Sequence, residues 1–269
     1  MFGNNAAFVG SIPENYDGYL GPVLFAPYAD DLVARLDLAK DASVLELACG
    51  TGVLTRRLRE RFPAYAKLIA TDLNEAMLSF ARQKLENSEG IEWKQADATE
   101  LPFQDQSFDA VVCQFGVMFF PDKDKAASEI YRVLKPGGIF LFNVWDAIEE
   151  NDLPHIAHTV ISKFFDDNPP SFYKIPFSFH DIENIRTLLT KAGFRNVEST
   201  IVSLPAVAQS APEVTKGLVH GNPVIAAIRE RDESQIPAIE DAIASQVVAQ
   251  CGDAPVRARM RAVVCSAVR

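Results

Sequence analysis

An apolar run, Val44-Leu45-Glu46-Leu47-Ala48, ends in Cys49-Gly50-Thr51-Gly52, and a helical pattern starts at once. This reads as a strand, a tight glycine turn and a helix N-terminus, a geometry suited to a nucleotide-like cofactor. Twenty residues past the turn a second apolar run, Lys67-Leu68-Ile69-Ala70-Thr71, stops at Asp72. An acid at that point is placed to accept hydrogen bonds from two adjacent ribose hydroxyls.

The pattern that follows is a strand–helix alternation. Strands are expected at 43–48, 66–71, 91–96, 108–115 and 138–145, with helices at 52–62, 74–87 and 123–135 between them. Leu54, Leu58 and Phe62 share one side of the first helix, and Pro63 stops it. Such alternation implies right-handed crossovers and a parallel sheet covered on both faces. Ligands of these sheets bind beyond the strand C-termini, where the strand order switches. Asp72, Asp97 and Gln114 all fall at or near strand ends.

Outside this core the reading is coarser. Residues 1–40 carry turn signals and aromatic residues, with a helix expected over about 23–37, and form an expected N-terminal helical lid. The cofactor-binding core is 41–145. Segment 146–180 reads as irregular and aromatic, and 205–255 as a helical insertion. These two are expected to enclose the substrate as a mostly helical cap. A helix over 181–192, capped by Asp181, and strands over 195–204 and 258–268 complete one expected domain spanning 1–269.

Charge and cysteine usage narrow the partners. A net charge of −10 argues against binding a phosphate backbone or an anionic membrane surface. No signal peptide is visible after Met1, and the longest apolar run is too short to span a bilayer. Cys49, Cys113, Cys251 and Cys265 lack CxxC spacing and read as reduced thiols, which fits a cytoplasmic protein. No metal-ligand cluster appears. Arg56, Arg57, Arg59 and Arg61 read as a solvated helix face.

Four stretches together resemble the class I S-adenosylmethionine-dependent methyltransferases of the type-11, UbiE-like group. They are Val44–Gly52; Ala70–Leu78; Asp97–Phe103 leading into Ser107–Val111; and Glu129–Gly138. Glu46 stands where that family more often has Asp, and Ala48 where Gly is usual. The resemblance implies an α/β, Rossmann-like sheet of seven strands in the order 3-2-1-4-5-7-6, the last strand antiparallel.

It also implies S-adenosyl-L-methionine as cofactor, held by Glu46, Ala48, Gly50, Gly52, Asp72, Leu73, Met77, Asp97, Ala98, Gln114 and Phe115. Asp72 would take the ribose, Leu73 and Met77 would pack near the adenine, and Asp97 and the Ala98 amide would meet its edge. Gly50 and Gly52 would turn beneath the methionine portion, and Gln114 and Phe115 would lie beside it. Tyr19, Phe119, Trp145 and His180 are candidate walls of the acceptor site. No catalytic base is assigned among His155, His158, His180 and His220.

The expected activity is methyl transfer to a small, apolar or aromatic molecule by in-line displacement. A cofactor-binding protein without turnover, and a nicotinamide-dependent oxidoreductase, share parts of the pattern. The third glycine usual in the oxidoreductases would fall at Thr55.

Overall fold

The computed structural model describes residues 8–165 and 168–269. Its sheet has the strand order β3-β2-β1-β4-β5-β7-β6. The strands are β1 (Val44–Leu47), β2 (Leu68–Asp72), β3 (Ile91–Gln95), β4 (Phe108–Gln114), β5 (Leu134–Trp145), β6 (Arg195–Ala208) and β7 (Val256–Val268). Neighbours from β3 through β5 pair in parallel. β7 runs antiparallel to both β5 and β6.

The sequence explains the order of depth. All four residues of β1 are buried, as a central strand covered on both faces requires. β3 lies at one edge, and its residues are half-buried or exposed. β6, the other edge, alternates over most of its length before its buried end at Ala206 and Ala208.

Helices α1 (Ile12–Asn15), α2 (Ala26–Ala34), α3 (Val53–Arg61), α4 (Glu75–Lys84) and α5 (Lys123–Val133) belong to the N-terminal half. α6 (Asp152–Lys163), α7 (Ile182–Lys191), α8 (Ala211–His220), α9 (Val224–Asp232) and α10 (Ile236–Cys251) follow. Side-chain caps fix several starts: Asn74 accepts from the Ala76 and Met77 amides, Asp122 from Lys125 and Asp181 from Asn184. Leu54, Leu58 and Phe62 of α3 and its flank meet Ala29 and Leu32 of α2 in a core under one sheet face. A larger core fills the other face and extends into the cap. No helix among the described residues is long and apolar enough to cross a membrane.

Several boundaries differ from the sequence reading. The helix expected over 23–37 is two pieces, a π-helix over Tyr16–Phe25 and then α2. The segment 146–180 is not wholly irregular, because Asp152–Lys163 is helical with Leu153, Ile156, Ala157 and Val160 buried. β5 starts at Leu134, and a register shift against β4 takes up the Pro136-Gly137-Gly138 turn. β6 and β7 each run further than expected, because their pairing continues from Arg195 with Val268 to Ala208 with Val256.

The arginine run of α3 is only partly solvated. Arg57 pairs with Asp30 at 2.9 Å. Arg59 donates to the carbonyls of Phe62, Pro63, Ala66 and Gly90. All four cysteines are buried and unpaired.

Candidate functional site

The strand order turns back between β1 and β4, and a crevice of about 360 Å³ opens beyond their C-terminal ends. Ala48 and Gly50 after β1, Asp72, Leu73 and Met77 after β2, and Asp97 and Ala98 after β3 all line it. Gln114 and Phe115 close it from β4. Nine of the eleven expected cofactor residues therefore meet in one cavity.

Gly52 and Glu46 are the two that do not line it. Gly52 caps α3 with φ of +81°, a backbone conformation open to glycine at no steric cost. A Cβ there would also crowd Leu85 at 3.1 Å. Its task is the turn itself. Glu46 is 1% exposed and faces a separate cleft of about 30 Å³ under the glycine turn, shared with Tyr16, Gly50, Thr51 and Gln114.

Backbone geometry at the switch point is strained. Ala48 and Phe115 have φ of +52° and +50°, the left-handed region that costs a residue with a Cβ about 1–2 kcal/mol. Phe115 is held there by its amide, which donates to both the carbonyl and the Oδ1 of Asn143, a fully buried residue. Strained residues of this kind gather at functional sites.

The polar atoms of the crevice are only partly used. Asp72 Oδ2 accepts from the Gly50 amide and Oδ1 from the Asn74 amide, both at 2.8 Å. Each carboxylate oxygen has a second lone pair to offer. Burial raises the Asp72 pKa, and these amide bonds hold it back down. Asp97 Oδ1 accepts from the amide and hydroxyl of Thr99, leaving Oδ2 without a partner among the described residues. In the small cleft, Glu46 Oε2 and Thr51 Oγ1 are buried and unpartnered. Burial, with the Asp72 charge beside it, pushes the Glu46 carboxyl up to about 8.

Phe8, Tyr16, Phe115 and Phe119 also line a second, inner chamber of about 60 Å³ beside the crevice. Its walls come from Phe25, Trp145, Phe172, Phe177, Leu218 and Met260, among others. Trp145 stacks on Phe115 with ring centroids 3.7 Å apart. Phe119 lines both spaces, and two of the four expected acceptor-site residues, Phe119 and Trp145, line the chamber.

The other two do not. Tyr19 turns away and packs against α8, with the Lys216 ammonium 5.0 Å from its ring centre. His180 sits at the start of α7, its Nδ1 2.9 Å from the Phe177 carbonyl, and lines neither space. Tyr16 takes the place expected for Tyr19. It lines the crevice, the chamber and the small cleft.

The π-helix explains that exchange. At the α-helical 3.6 residues per turn, positions nine apart fall on opposite faces. The wider i→i+5 winding brings Tyr16 and Phe25 to one face, where their rings stack at 4.6 Å. Sequence reasoning missed Tyr16, Phe8, Asn143 and Asn222. For Phe8 and Tyr16 the aromatic density before residue 30 is a signal that singles out no residue, and Asn143 and Asn222 have none.

Comparison with known proteins agrees with this geometry. A family model described as "Methyltransferase domain" matches residues 45–142. The chain is 34% identical over 172 residues to the Escherichia coli ubiquinone/menaquinone biosynthesis C-methyltransferase UbiE, covering 58% of this chain and 67% of that one. Haemonchus contortus phosphoethanolamine N-methyltransferase 2, solved with S-adenosyl-L-methionine, superimposes with a TM-score of 0.62 at 18% identity, over 98% of this chain and 58% of that one. The Bacillus YcgJ protein superimposes with a TM-score of 0.60 at 17% identity, over 90% and 97%.

A Rossmann-like sheet with this strand order and a crevice at its switch point defines a class I methyltransferase fold. The chain belongs to the S-adenosylmethionine-dependent methyltransferases, in the type-11, UbiE-like group. It is an S-adenosylmethionine-dependent enzyme. The residues present fit that cofactor. Asp72 keeps lone pairs beyond its two amide bonds, Asp97 keeps an unpartnered oxygen and Glu46 a buried one, an acceptor set able to take hydroxyl and amino donors.

Proposed function

We propose that the enzyme transfers a methyl group to a small apolar or aromatic acceptor held in the inner chamber, by in-line displacement. The observation that carries this reading is the adjacency of two unlike spaces. A crevice edged by carboxylate oxygens shares Phe8, Tyr16, Phe115 and Phe119 with a chamber walled by rings and aliphatic side chains.

In this reading Asp72 takes the two ribose hydroxyls, and Leu73 and Met77 pack on the adenine. Asp97 and the Ala98 amide meet the adenine edge. Glu46 and Thr51 receive the ammonium end of the cofactor in the small cleft, beside Ala48 and Gly50. When bound, the cofactor supplies an electrophilic methyl on a sulfonium, which departs as a neutral thioether.

The chain's own work is then alignment and enclosure. Holding the acceptor atom against the methyl can supply about 7–11 kcal/mol of the barrier. Aromatic faces attract an onium charge, by about 2 kcal/mol or more once water is excluded. Phe115, Trp145, Phe25 and Tyr16 offer such faces.

No His, Lys, Arg, Asp or Glu lines the chamber among the described residues. Burial raises the hydroxyl pKa of both Tyr16 and Tyr173, so both stay neutral phenols. Acceptors that need no strong base therefore suit the site best. The E. coli relative is named for C-methylation in quinone biosynthesis, and an aromatic or quinone-like ring suits this chamber. The net charge of −10 favours a small molecule over a nucleic acid. The four unpaired thiols fit the cytoplasm.

The test is a transfer assay with methyl-tritiated S-adenosylmethionine and a panel of small phenols, quinols, amines and carboxylates. Label should pass to ring-bearing acceptors and not to RNA. Tight cofactor binding with no label transferred to any small molecule would support a protein without turnover instead.

A further inference from the structure

The inner chamber holds a polar group that the methyl-transfer reading does not use. Asn222 lies between α8 and α9, is 7% exposed, and lines the chamber but not the crevice. It belongs to a small buried network. The Leu218 carbonyl is one of the last four of α8 and has lost its intrahelical partner. It accepts from the Tyr173 hydroxyl at 2.7 Å and from Asn222 Nδ2 at 3.2 Å. Asn222 Nδ2 also donates to the Tyr173 oxygen at 3.4 Å.

The Tyr173 proton goes to Leu218, and Asn222 Nδ2 is turned toward the Leu218 and Tyr173 oxygens, which lie close enough together to share one of its hydrogens. Turning the amide over would set Oδ1 against the Leu218 carbonyl oxygen, so the network fixes its orientation. Asn222 Oδ1 is then the one acceptor left without a protein partner among the described residues. The chamber is lined mainly by rings and aliphatic side chains, so a ligand is the natural source of a donor for it.

Resting on the methyl-transfer reading, we infer that Asn222 Oδ1 anchors the acceptor molecule, which carries a hydroxyl or N–H at the end remote from the atom that is methylated. Tyr173 acts through Asn222, by holding the amide. The chamber's 60 Å³ holds about four to six waters, the space of one small ring. The substrate class is therefore a compact ring with a donor at one end and its nucleophilic atom at the other.

Phenol and toluene have nearly the same shape and differ in that donor. With the protein saturated with S-adenosylhomocysteine, phenol should bind about tenfold tighter than toluene, as one hydrogen bond gained inside the chamber implies. In Asn222→Leu that preference should shrink to near unity, while affinity for S-adenosylhomocysteine is unchanged. As a check that needs no variant, crystals of the wild-type protein soaked with both ligands should place the phenol hydroxyl about 3 Å from Asn222 Oδ1.

An equal affinity for the two rings, a preference that survives the substitution, a hydroxyl bound elsewhere, or rejection of both rings overturns the anchor. Failure to bind S-adenosylhomocysteine at the outset overturns the methyl-transfer reading instead, so the two failures are told apart.

Discussion

Asp72 has two tasks that pull in one direction. Its oxygens tie down the Gly50 and Asn74 amides, and their remaining lone pairs face the crevice. Asp72→Ala should weaken S-adenosylmethionine binding at least about tenfold, and cost about 1–3 kcal/mol of stability from the unpaired amides. Calorimetric titration and thermal unfolding check both. Unchanged affinity contradicts the ribose assignment.

Glu46 gives a pH signature. Its folded-state pKa, about 8, lies above the ordinary 4.5, so the folded protein holds the proton longer than the unfolded chain. Stability of the cofactor-free protein should therefore be greatest below about 4.5, as far as this group is concerned, and fall as pH rises through 8. Glu46→Gln should flatten that slope in urea unfolding. An ammonium beside Glu46 favours the carboxylate, so cofactor binding should release a proton below pH 8 and tighten toward it.

Asp72 and Asp97 were legible because a strand end and a spacing announce them. Asn143 and Asn222 were not. Their roles exist only through partners 28 and 49 residues away, Phe115 and Tyr173.

At the scale of elements, the helix over Tyr16–Phe25 is the part least visible in the sequence. Apolar periodicity distinguishes helix from strand, but a Gly- and Pro-containing aromatic stretch does not announce π over α winding. Its seat is α8. A Cβ on Gly217 would come within 2.7 Å of Leu20 Cδ2 and 2.8 Å of Tyr19 Cβ, so only a bare backbone lets the π-helix lie this close.

Gly217→Leu should therefore cost about 1–3 kcal/mol by overpacking. By shifting the segment that carries Tyr16, it should also weaken S-adenosylmethionine binding. A variant with unaltered melting temperature and cofactor affinity would show that the N-terminal segment does not depend on this seat. By contrast β1, α3, β2 and α4 were readable nearly to the residue. Each has a caps-and-turns signature, such as Asn74 at the start of α4, written in adjacent positions.

For the whole molecule, strand–helix alternation dictated the parallel half of the sheet, and the family resemblance supplied the order of its last strands. The pairing of β7 between β5 and β6 is a long-range fact with no local signal. The cap was harder still. Both 146–180 and 205–255 contribute chamber walls, but so do Leu20, Leu24 and Phe25 from the N-terminal segment. The N-terminal segment and the two cap segments thus share one largely aromatic surface.

The central claim is that the tips of β1, β2, β3 and β4 together hold S-adenosylmethionine, with its methyl directed at the inner chamber. A crystal structure of the wild-type protein with S-adenosylhomocysteine measures this most directly. The account predicts the ribose hydroxyls on Asp72, the amino group in the cleft beside Glu46, and the sulfur facing the passage between Tyr16 and Phe115. A nucleoside lying elsewhere, or a sulfur directed to bulk solvent with the chamber closed off, contradicts it.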